Sequence, residues 1–405
     1  MANPGHVIGQ HDSESSMVAT AGHGVAVCAV DLCHGAAGAG TFAMEHAGAC
    51  VVGGCEIVPK RVRQYGFLHP HVDTRCQHVV QYIQQSMPSG LAQALVCGPC
   101  QCFMTLGGSA GGPMGEHDPR ECCGPVVEAF YECPPSRRPA TIVFENIPEL
   151  ESHDGGRFFA RLCHVLAQMG YWLAKVPMRA DHFHLPIRRS RLYFVALPSE
   201  AALARFTACL PTPPGPCLGG FATLSEKDPV LWDMPSLAVA PQAMRRALQR
   251  SSLGFFTIVS CHYRGVLQTL ITRGGNVSCM GYGTYVVLTD DLPEYHHHLF
   301  TLGDLEAASA GGMQLPARIL TCLECSRLQG CDTPTTCVFG EGNEAHTAWG
   351  EAVAIPCAKT VCQAALRAAG YAPQQPTNGS TGGQGWRVAS TSVGGRMHTL
   401  VPPQL

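Results

Sequence analysis

Long apolar runs, basic clusters and charged residues are what this sequence has least of. No stretch reaches the roughly 18 uninterrupted apolar residues of a bilayer-spanning helix, which predicts no membrane span. Only 14% of the 405 residues are charged against 46% apolar, the balance of a folded globular chain rather than a disordered one. The formal net charge of −3 speaks against a broad non-specific nucleic-acid patch, although it leaves room for a local basic groove. The start, Met1-Ala2-Asn3-Pro4-Gly5-His6, has neither a basic n-region nor an apolar h-region. No basic import cluster and no internal repeat stand out.

Cysteine, in contrast, is abundant, with 22 in the chain. Without a secretion signal the expectation is a reducing, intracellular setting in which most of these thiols are small buried hydrophobes. The sequons at Asn276 and Asn378 read as chance.

The length predicts one large domain and a smaller one. Residues 1–22 are small and polar and read as a loose N-terminus. Val25 to Val30 is a short apolar run closed by Asp31 and a glycine-rich turn, the pattern of a buried parallel strand feeding a helix. Val51-Val52 leads to Cys55-Glu56-Ile57, Leu91 to Val96 leads to Cys97-Gly98-Pro99-Cys100, and Ala140 to Phe144 leads to Glu145. Leu192 to Leu197 is a fifth such run. Helical patterns lie between them, so residues 23–200 read as an α/β unit with a mostly parallel sheet. Polar residues just beyond strand C-termini are where such sheets bind ligands. Residues 201–317 mix short β-like runs with Pro- and Gly-rich turns and read as a second, smaller domain. From Arg318 helices return, and residues 318–370 are expected to complete the large unit. The segment 371–405, rich in Pro, Gly, Ser and Gln, reads as a disordered tail.

Taken locally, several motifs are ambiguous. Asp31 to Gly38 with Gly40 suits a generic nucleotide site or an ordinary tight turn, and it is not the dinucleotide fingerprint. Cys97-Gly98-Pro99-Cys100 has the dithiol spacing of thioredoxin-like oxidoreductases. Paired with Cys322 and Cys325 it reads as zinc-binding, and by itself as a turn with buried thiols. Glu145-Asn146 is a turn signal, Arg188, Arg189 and Arg191 a solvated face, and Glu324 with Arg327 a helix ion pair. His296-His297-His298 lacks partner ligands and reads as a polar loop, so no metal is expected.

In order, however, these segments resemble the motif series of the cytosine-C5 DNA methyltransferases. Asp31-Leu32, Gly35, Gly38 and Ala47-Gly48 resemble the motif that cradles S-adenosylmethionine. Glu56-Ile57 resembles the ribose-binding acid and its neighbour, and Asp73 the adenine-contacting acid. Gly98-Pro99-Cys100-Gln101-Cys102-Phe103 with Gly107 resembles the Pro-Pro-Cys-Gln loop, which makes Cys100 the nucleophile. Asp118-Pro119-Arg120 resembles the D-x-R that follows it, Phe144-Glu145-Asn146-Ile147 the Glu-Asn-Val motif, and Arg189-Ser190-Arg191 the Q-x-R-x-R motif. Arg318, Leu320-Thr321, Glu324, Arg327 and Leu328-Gln329-Gly330 resemble the ninth motif, and Gly350, Val353 and Pro356 the tenth. Departures stand at Ala37, Gly98, Met104, Ile187 and Glu351, the last in place of a usual Asn.

The resemblance implies a Rossmann-like methyltransferase sheet with residues 201–317 as target-recognition domain, and S-adenosyl-L-methionine as cofactor. It implies Cys100, Glu145, Arg189 and Arg191 as catalytic residues. Asp31, Leu32, Gly35, Gly38, Glu56, Ile57, Asp73, Pro99 and Val353 would bind the cofactor, and Gln101, Asn146, Arg120, Arg318 and Thr321 the substrate. The expected partner is nucleic acid, DNA first and tRNA second, with a monomeric protein acting in the nucleus of a nucleated cell if DNA is the substrate and otherwise in the cytoplasm. Residues 201–317 hold seven basic residues, Arg245, Arg246 and Arg250 among them, against eight acids, which is no broad phosphate-binding stripe. Thr269-Leu270 resembles a pair of DNA-type recognition domains. A catalytically decayed nucleic-acid-binding protein and a dithiol oxidoreductase using Cys97 and Cys100 are the alternatives from other classes.

Overall fold

The computed structural model describes residues 27–103, 114–215, 256–260, 263, 265–270, 283–287, 294, 297, 299–311, 317–333, 335–340, 342–371, 386–392 and 394–402. The expectations for residues 1–22, Met104, Gly107, Arg245, Arg246, Arg250, His296 and His298 lie outside them, as does the side chain of Arg318.

Short apolar runs become the inner strands of a nine-stranded sheet whose edge strands, Asp73–Cys76 and Arg387–Ser392, are polar. The strands are β1 (Cys28–Leu32), β2 (Cys50–Glu56), β3 (Asp73–Cys76), β4 (Gln93–Cys97), β5 (Thr141–Asn146), β6 (Trp172–Arg179), β8 (Ser190–Leu197), β13 (Arg387–Ser392) and β14 (Met397–Val401), with the two-residue β7 (Ile187–Arg188) outside the sheet. The order is β13-β14-β6-β8-β5-β4-β1-β2-β3. β3, β2, β1, β4 and β5 run parallel, β8 is antiparallel to both β5 and β6, and β14 is parallel to β6. Alternate strand residues face opposite sides. Ala29, Leu95 and Val143 join one apolar cluster and Val30, Val96 and Phe144 the other, so the sheet is covered on both faces. Helices Ala39–His46, Glu200–Cys209 and Ile355–Ala368 supply the first cover, and Cys123–Glu132 and Arg157–Gln168 the second. The order reverses between β1 and β4. This is the switch point at which open α/β sheets leave a crevice beyond their strand C-termini.

Two boundaries differ from the sequence expectation. Helix Glu200–Cys209 belongs to the large unit: Arg205 Nε donates to the Ala368 carbonyl at 2.8 Å. The tail is not disordered throughout, because β13 and β14 form a hairpin on the sheet edge. Met397 and Leu400 bury against the core, Trp386 Nε1 donates to the Pro211 carbonyl at 2.9 Å, and the Arg396 guanidinium lies 5.6 Å from the Trp172 ring centre. The polar composition of 372–385 masks a five-residue strand in the sequence.

Within 201–317, β9 (Phe256–Ser260) pairs parallel with β11 (Gly283–Val287), which pairs antiparallel with β12 (Ala317–Ile319). β10 (Leu267–Gln268) pairs with β7, which carries the segment back to the large sheet. Among the described residues no helix is long and apolar enough to cross a membrane.

Candidate functional site

The loops beyond β1, β2 and β4, the end of β5 and the start of β8 all open on one edge of the sheet, because β8 runs against its neighbours. The loop after β1 turns sharply. Cys33, Gly35 and Gly38 adopt left-handed conformations with φ of 60°, 65° and 58°. At Gly38 a Cβ would lie 2.4 Å from His69 Nε2, so only glycine fits there. Ala37, a departure from the family pattern, keeps a negative φ and buries its methyl group without strain.

Beneath this loop lies a polar layer of which the motif series names only Asp31. Asp31 is fully buried, and its Oδ2 accepts from Thr41 Oγ1 at 2.9 Å. Burial pushes its pKa up to about 7 against the hydrogen bond from Thr41. Thr41 Oγ1 is 2.6 Å from the Tyr65 hydroxyl, the His34 ring stacks on Tyr65 at 3.6 Å, and His34 Nε2 lies 2.7 Å from Thr74 Oγ1. Burial lowers the pKa of both His34 and His69 to about 4, so both imidazoles are neutral at pH 7. Asp31 therefore supports the loop from below, and Leu32 is a core side chain; neither offers a side chain to a ligand. A helical spacing of small and aromatic residues carries little signal for such a layer.

The upper side of the loop is open. Nothing lies within 4 Å of where a Cβ on Gly35 would be. Glu56, at the end of β2, accepts from the Gly35 N–H at 3.2 Å and the Val58 N–H at 3.0 Å. Ile57 beside it is exposed, and Val353 is buried in the wall behind. An acid at a strand end, an apolar surface beside it and an open glycine suit a nucleoside: ribose hydroxyls on the carboxylate and a flat base on the isoleucine. Asp73 departs from expectation. It opens β3 level with Gly53, three residues back from the ligand edge, and its carboxylate pairs with Arg75 at 2.6 Å.

The loop after β4 carries Cys100 in a turn in which the Phe103 N–H donates to the Cys100 carbonyl at 3.1 Å. Glu145, buried on β5, faces Arg191 from β8, with Arg191 Nε 2.9 Å from Glu145 Oε1. The contact is an ion pair rather than an aligned hydrogen bond to that oxygen. Burial raises the Cys100 thiol pKa, Arg191 opposes the shift, and Glu145 reinforces it. Cys100, Glu145 and Arg191 are thus electrostatic neighbours. Cys97, the other half of the C-x-x-C, sits in register opposite Glu145 within β4, and burial raises its pKa well above the ordinary range.

Arg189 serves another purpose than the sequence suggests. Its side chain is buried and donates to the carbonyls of Ala352 at 2.5 Å, Gly350 at 3.2 Å and Leu270 at 3.5 Å. It ties β8 to the segment before helix Ile355–Ala368, and burial, then repulsion from Arg191, lowers its pKa to about 9. Asn146 likewise points inward. Its Nδ2 lies 3.5 Å from the Gly98 carbonyl, and its Oδ1 accepts from the Ile147 N–H at 2.9 Å. Arg120 holds Asp118 through Nη2 at 2.6 Å and reaches Gln101 Oε1 at 3.3 Å, so it clamps the loop of the thiol. Side-chain hydrogen bonding from Arg120 takes the Asp118 pKa down to about 2. Pro99 is half-buried in the same loop.

Thr321 caps a helix rather than facing the crevice. Its hydroxyl accepts from the Glu324 N–H at 3.2 Å, and the Glu324 carboxylate accepts from the Thr321 N–H at 2.8 Å. Glu324 thus serves the cap, and Arg327 Nε lies 3.5 Å from Asp332 Oδ1. Gln329 Nε2 donates to the Trp349 carbonyl at 3.0 Å, and a Cβ on Gly330 would meet Pro356 Cδ at 2.6 Å. The segment from Thr321 to Gly330 packs against the C-terminal helices through these contacts. Thr269-Leu270 lies against Arg188 and Arg189, at the junction of the small sheet with the site wall. Among the described residues no group of three or more His, Cys, Asp or Glu gathers as a metal site.

Residues 27–367 match the family C-5 cytosine-specific DNA methylase. The chain is 24% identical over 300 residues to a DNA-cytosine methyltransferase of Escherichia coli (strain K12), which covers 68% of this chain and 60% of that protein. It is 29% identical over 115 residues to the type II methyltransferase M1.ScrFI of Lactococcus lactis subsp. cremoris, 28% of each chain. The chain thus spans less than two thirds of these relatives' own lengths. Two solved structures share the fold. The S. pombe Dnmt2 methyltransferase aligns with TM-score 0.61 and 16% identity over 85% of this chain and 99% of its own. The Entamoeba histolytica methyltransferase EhMeth aligns with TM-score 0.60 and 13% identity over 85% and 98%.

Proposed function

Because this chain belongs to the C-5 cytosine-specific DNA methylase family, we propose that it transfers a methyl group from S-adenosylmethionine to carbon 5 of a cytosine in DNA, with Cys100 as nucleophile. The observation that carries this reading is the meeting of Cys100, Glu145 and Arg191 at the strand edge that also holds the Gly35–Glu56 cradle.

Glu56, Ile57 and the open face of Gly35 would hold the cofactor, which when bound supplies an electrophilic methyl group. Carbon 5 of cytosine is a poor nucleophile until the ring is activated. The Cys100 thiolate adds at carbon 6 and turns the C5–C6 double bond into an enamine. Glu145 accepts from the exocyclic amine and passes a proton to ring N3 as the thiolate adds, so the electron pair pushed into the ring is neutralised. Arg191 holds that carboxylate in place and offsets its charge beside the thiolate. After methylation carbon 5 gives up its proton to solvent, the electron pair re-forms the C5–C6 double bond, the C6–S bond breaks, and Cys100 departs as thiolate. The base must leave the helical stack to enter so enclosed a site. Arg189 and Asn146 act behind this arrangement as positioning residues.

The test is transfer of a labelled methyl group to DNA and, separately, to tRNA by the wild type and Cys100→Ala. Transfer to DNA that disappears in Cys100→Ala, with a 5-fluorocytosine duplex trapped covalently on Cys100, is the expected result. Transfer to tRNA alone would correct the substrate and leave the chemistry. Cofactor binding without transfer to either would replace the enzyme with a binding protein.

A further inference from the structure

One guanidinium joins two carboxylates at the mouth of the cofactor cradle. Arg61, on helix Pro59–Leu68, places Nη2 2.7 Å from the carboxylate of Glu351 and Nη1 4.0 Å from Oε1 of Glu56. Glu56 is the acid that accepts from Gly35. Glu351 closes helix Asn343–Glu351, just ahead of the segment Arg189 holds. Nearer the start of that helix, and two turns away on the same face, Glu344 meets Lys60 at 2.5 Å and Gln64 at 3.4 Å. That outer pair is more than half exposed and is screened by solvent. The inner pair is mostly buried, at 31% and 23% exposure. Glu351 also stands where the family pattern has a neutral Asn, so this chain adds a negative charge beside Glu56 and a cation that offsets it.

We propose that Arg61 is a positioning residue of the cofactor site, holding Glu56 and Glu351 as a single wall with one net negative charge, so that Glu56 keeps its orientation toward a ribose. The proposal rests on the reading that this cradle takes S-adenosylmethionine. Without Arg61 two carboxylates would face each other in a half-buried cleft, and Glu56 would turn toward water. Removing Glu351 as well would abolish the conflict.

Calorimetric titration with S-adenosylhomocysteine tests this without needing turnover. In the full chain, R61M is expected to bind about tenfold more weakly than wild type, R61K and E351Q within about threefold of it, and R61M/E351Q to regain most of the loss. A general packing role for Arg61 would leave the double variant as weak as R61M, and that result would overturn the proposal, as would an R61M that binds like wild type. If R61M does not fold, R61M/E351Q carries the same test, since Glu56 then stands alone and the wall keeps the single net negative charge of the wild type. A folded wild type that does not bind S-adenosylhomocysteine would overturn the cofactor reading itself.

Discussion

Arg191 Nε lies 2.9 Å from Glu145 Oε1, and both side chains are nearly excluded from water. A buried ion pair contributes little net stability when intact, but breaking it leaves a charge with no compensation. Arg191→Met is therefore expected to lower stability by about 3–5 kcal/mol. Glu145→Gln keeps the shape and an acceptor oxygen beside Arg191, and should cost less. In methyl transfer Glu145→Gln should lower kcat by about a hundredfold or more, because an amide cannot pass a proton to ring N3. Urea unfolding and steady-state kinetics on the two variants separate these effects. Equal stability losses would contradict the asymmetry.

The two thiols of the C-x-x-C make opposite predictions. As methyltransferase, the protein should lose transfer in Cys100→Ala and retain it in Cys97→Ala, whereas dithiol chemistry needs both. Burial raises the Cys100 pKa from its ordinary value of 9.0 in the free protein. The thiolate fraction, and with it alkylation by iodoacetamide, should still be rising at pH 9. A plateau at about pH 7 would mean that Arg191 outweighs burial.

Gly98 shows why one departure from the family pattern is tolerated. A Cβ there would lie 2.7 Å from Cys122 Sγ and 3.3 Å from Cys123 Sγ. Gly98→Ala should destabilise the protein by about 1–3 kcal/mol through overpacking, and Cys122→Ala should relieve part of that loss. Thermal unfolding of the two single variants and the double variant checks the coupling. Additive effects would rule out the contact as the cause.

Five of the strands, β1, β2, β4, β5 and β8, were legible because each is a local apolar run with a polar residue near its end, and Cys100, Glu145 and Arg191 lie at such ends of β4, β5 and β8. What the sequence concealed was direction. Arg189, in the link between β7 and β8, and Arg191, on β8, are two apart, yet the Arg191 guanidinium meets Glu145 and the Arg189 guanidinium disappears among backbone carbonyls. Thr321, Glu324, Gln329 and Gly330 take part in a capping box and in contacts between helical segments, a demand of the fold that the motif alone does not reveal. The hairpin of β13 and β14 was hidden since its stability comes from β6, more than 200 residues away in the chain. Arg61 carried no motif signal, because its partners come from two segments that only the fold brings together.

The inward turn of Arg189 gives a separable prediction. Arg189→Met would strand the carbonyls of Gly350 and Ala352, with an expected stability loss of about 3 kcal/mol. Because those carbonyls lie beside Glu351 and Val353, binding of S-adenosylhomocysteine should weaken as well. A contact to substrate alone would leave both quantities unchanged, so calorimetry and urea unfolding on this single variant decide between the two roles.

The polar layer beneath the glycine-rich loop sets opposing pH dependences. The Asp31 pKa rises from 3.8 to about 7 in the folded chain, so between these values the folded state holds a proton that the unfolded state has lost, and stability falls as pH rises. His34 and His69 move the other way, from 6.5 to about 4, so between pH 4 and 6.5 the unfolded state takes up protons that the folded state refuses, and stability rises with pH. Asp31→Asn keeps the shape and removes only the first of these slopes. The stability difference between Asp31→Asn and wild type should therefore grow with pH from about 4 to about 7, by up to about 1.4 kcal/mol per pH unit, and level off above. All other titrating groups are common to both proteins and cancel in that difference. Urea midpoints measured from pH 4.5 to 8 read it directly. A difference that stays constant across this range would mean that Asp31 is ionised throughout, held by Thr41 against burial.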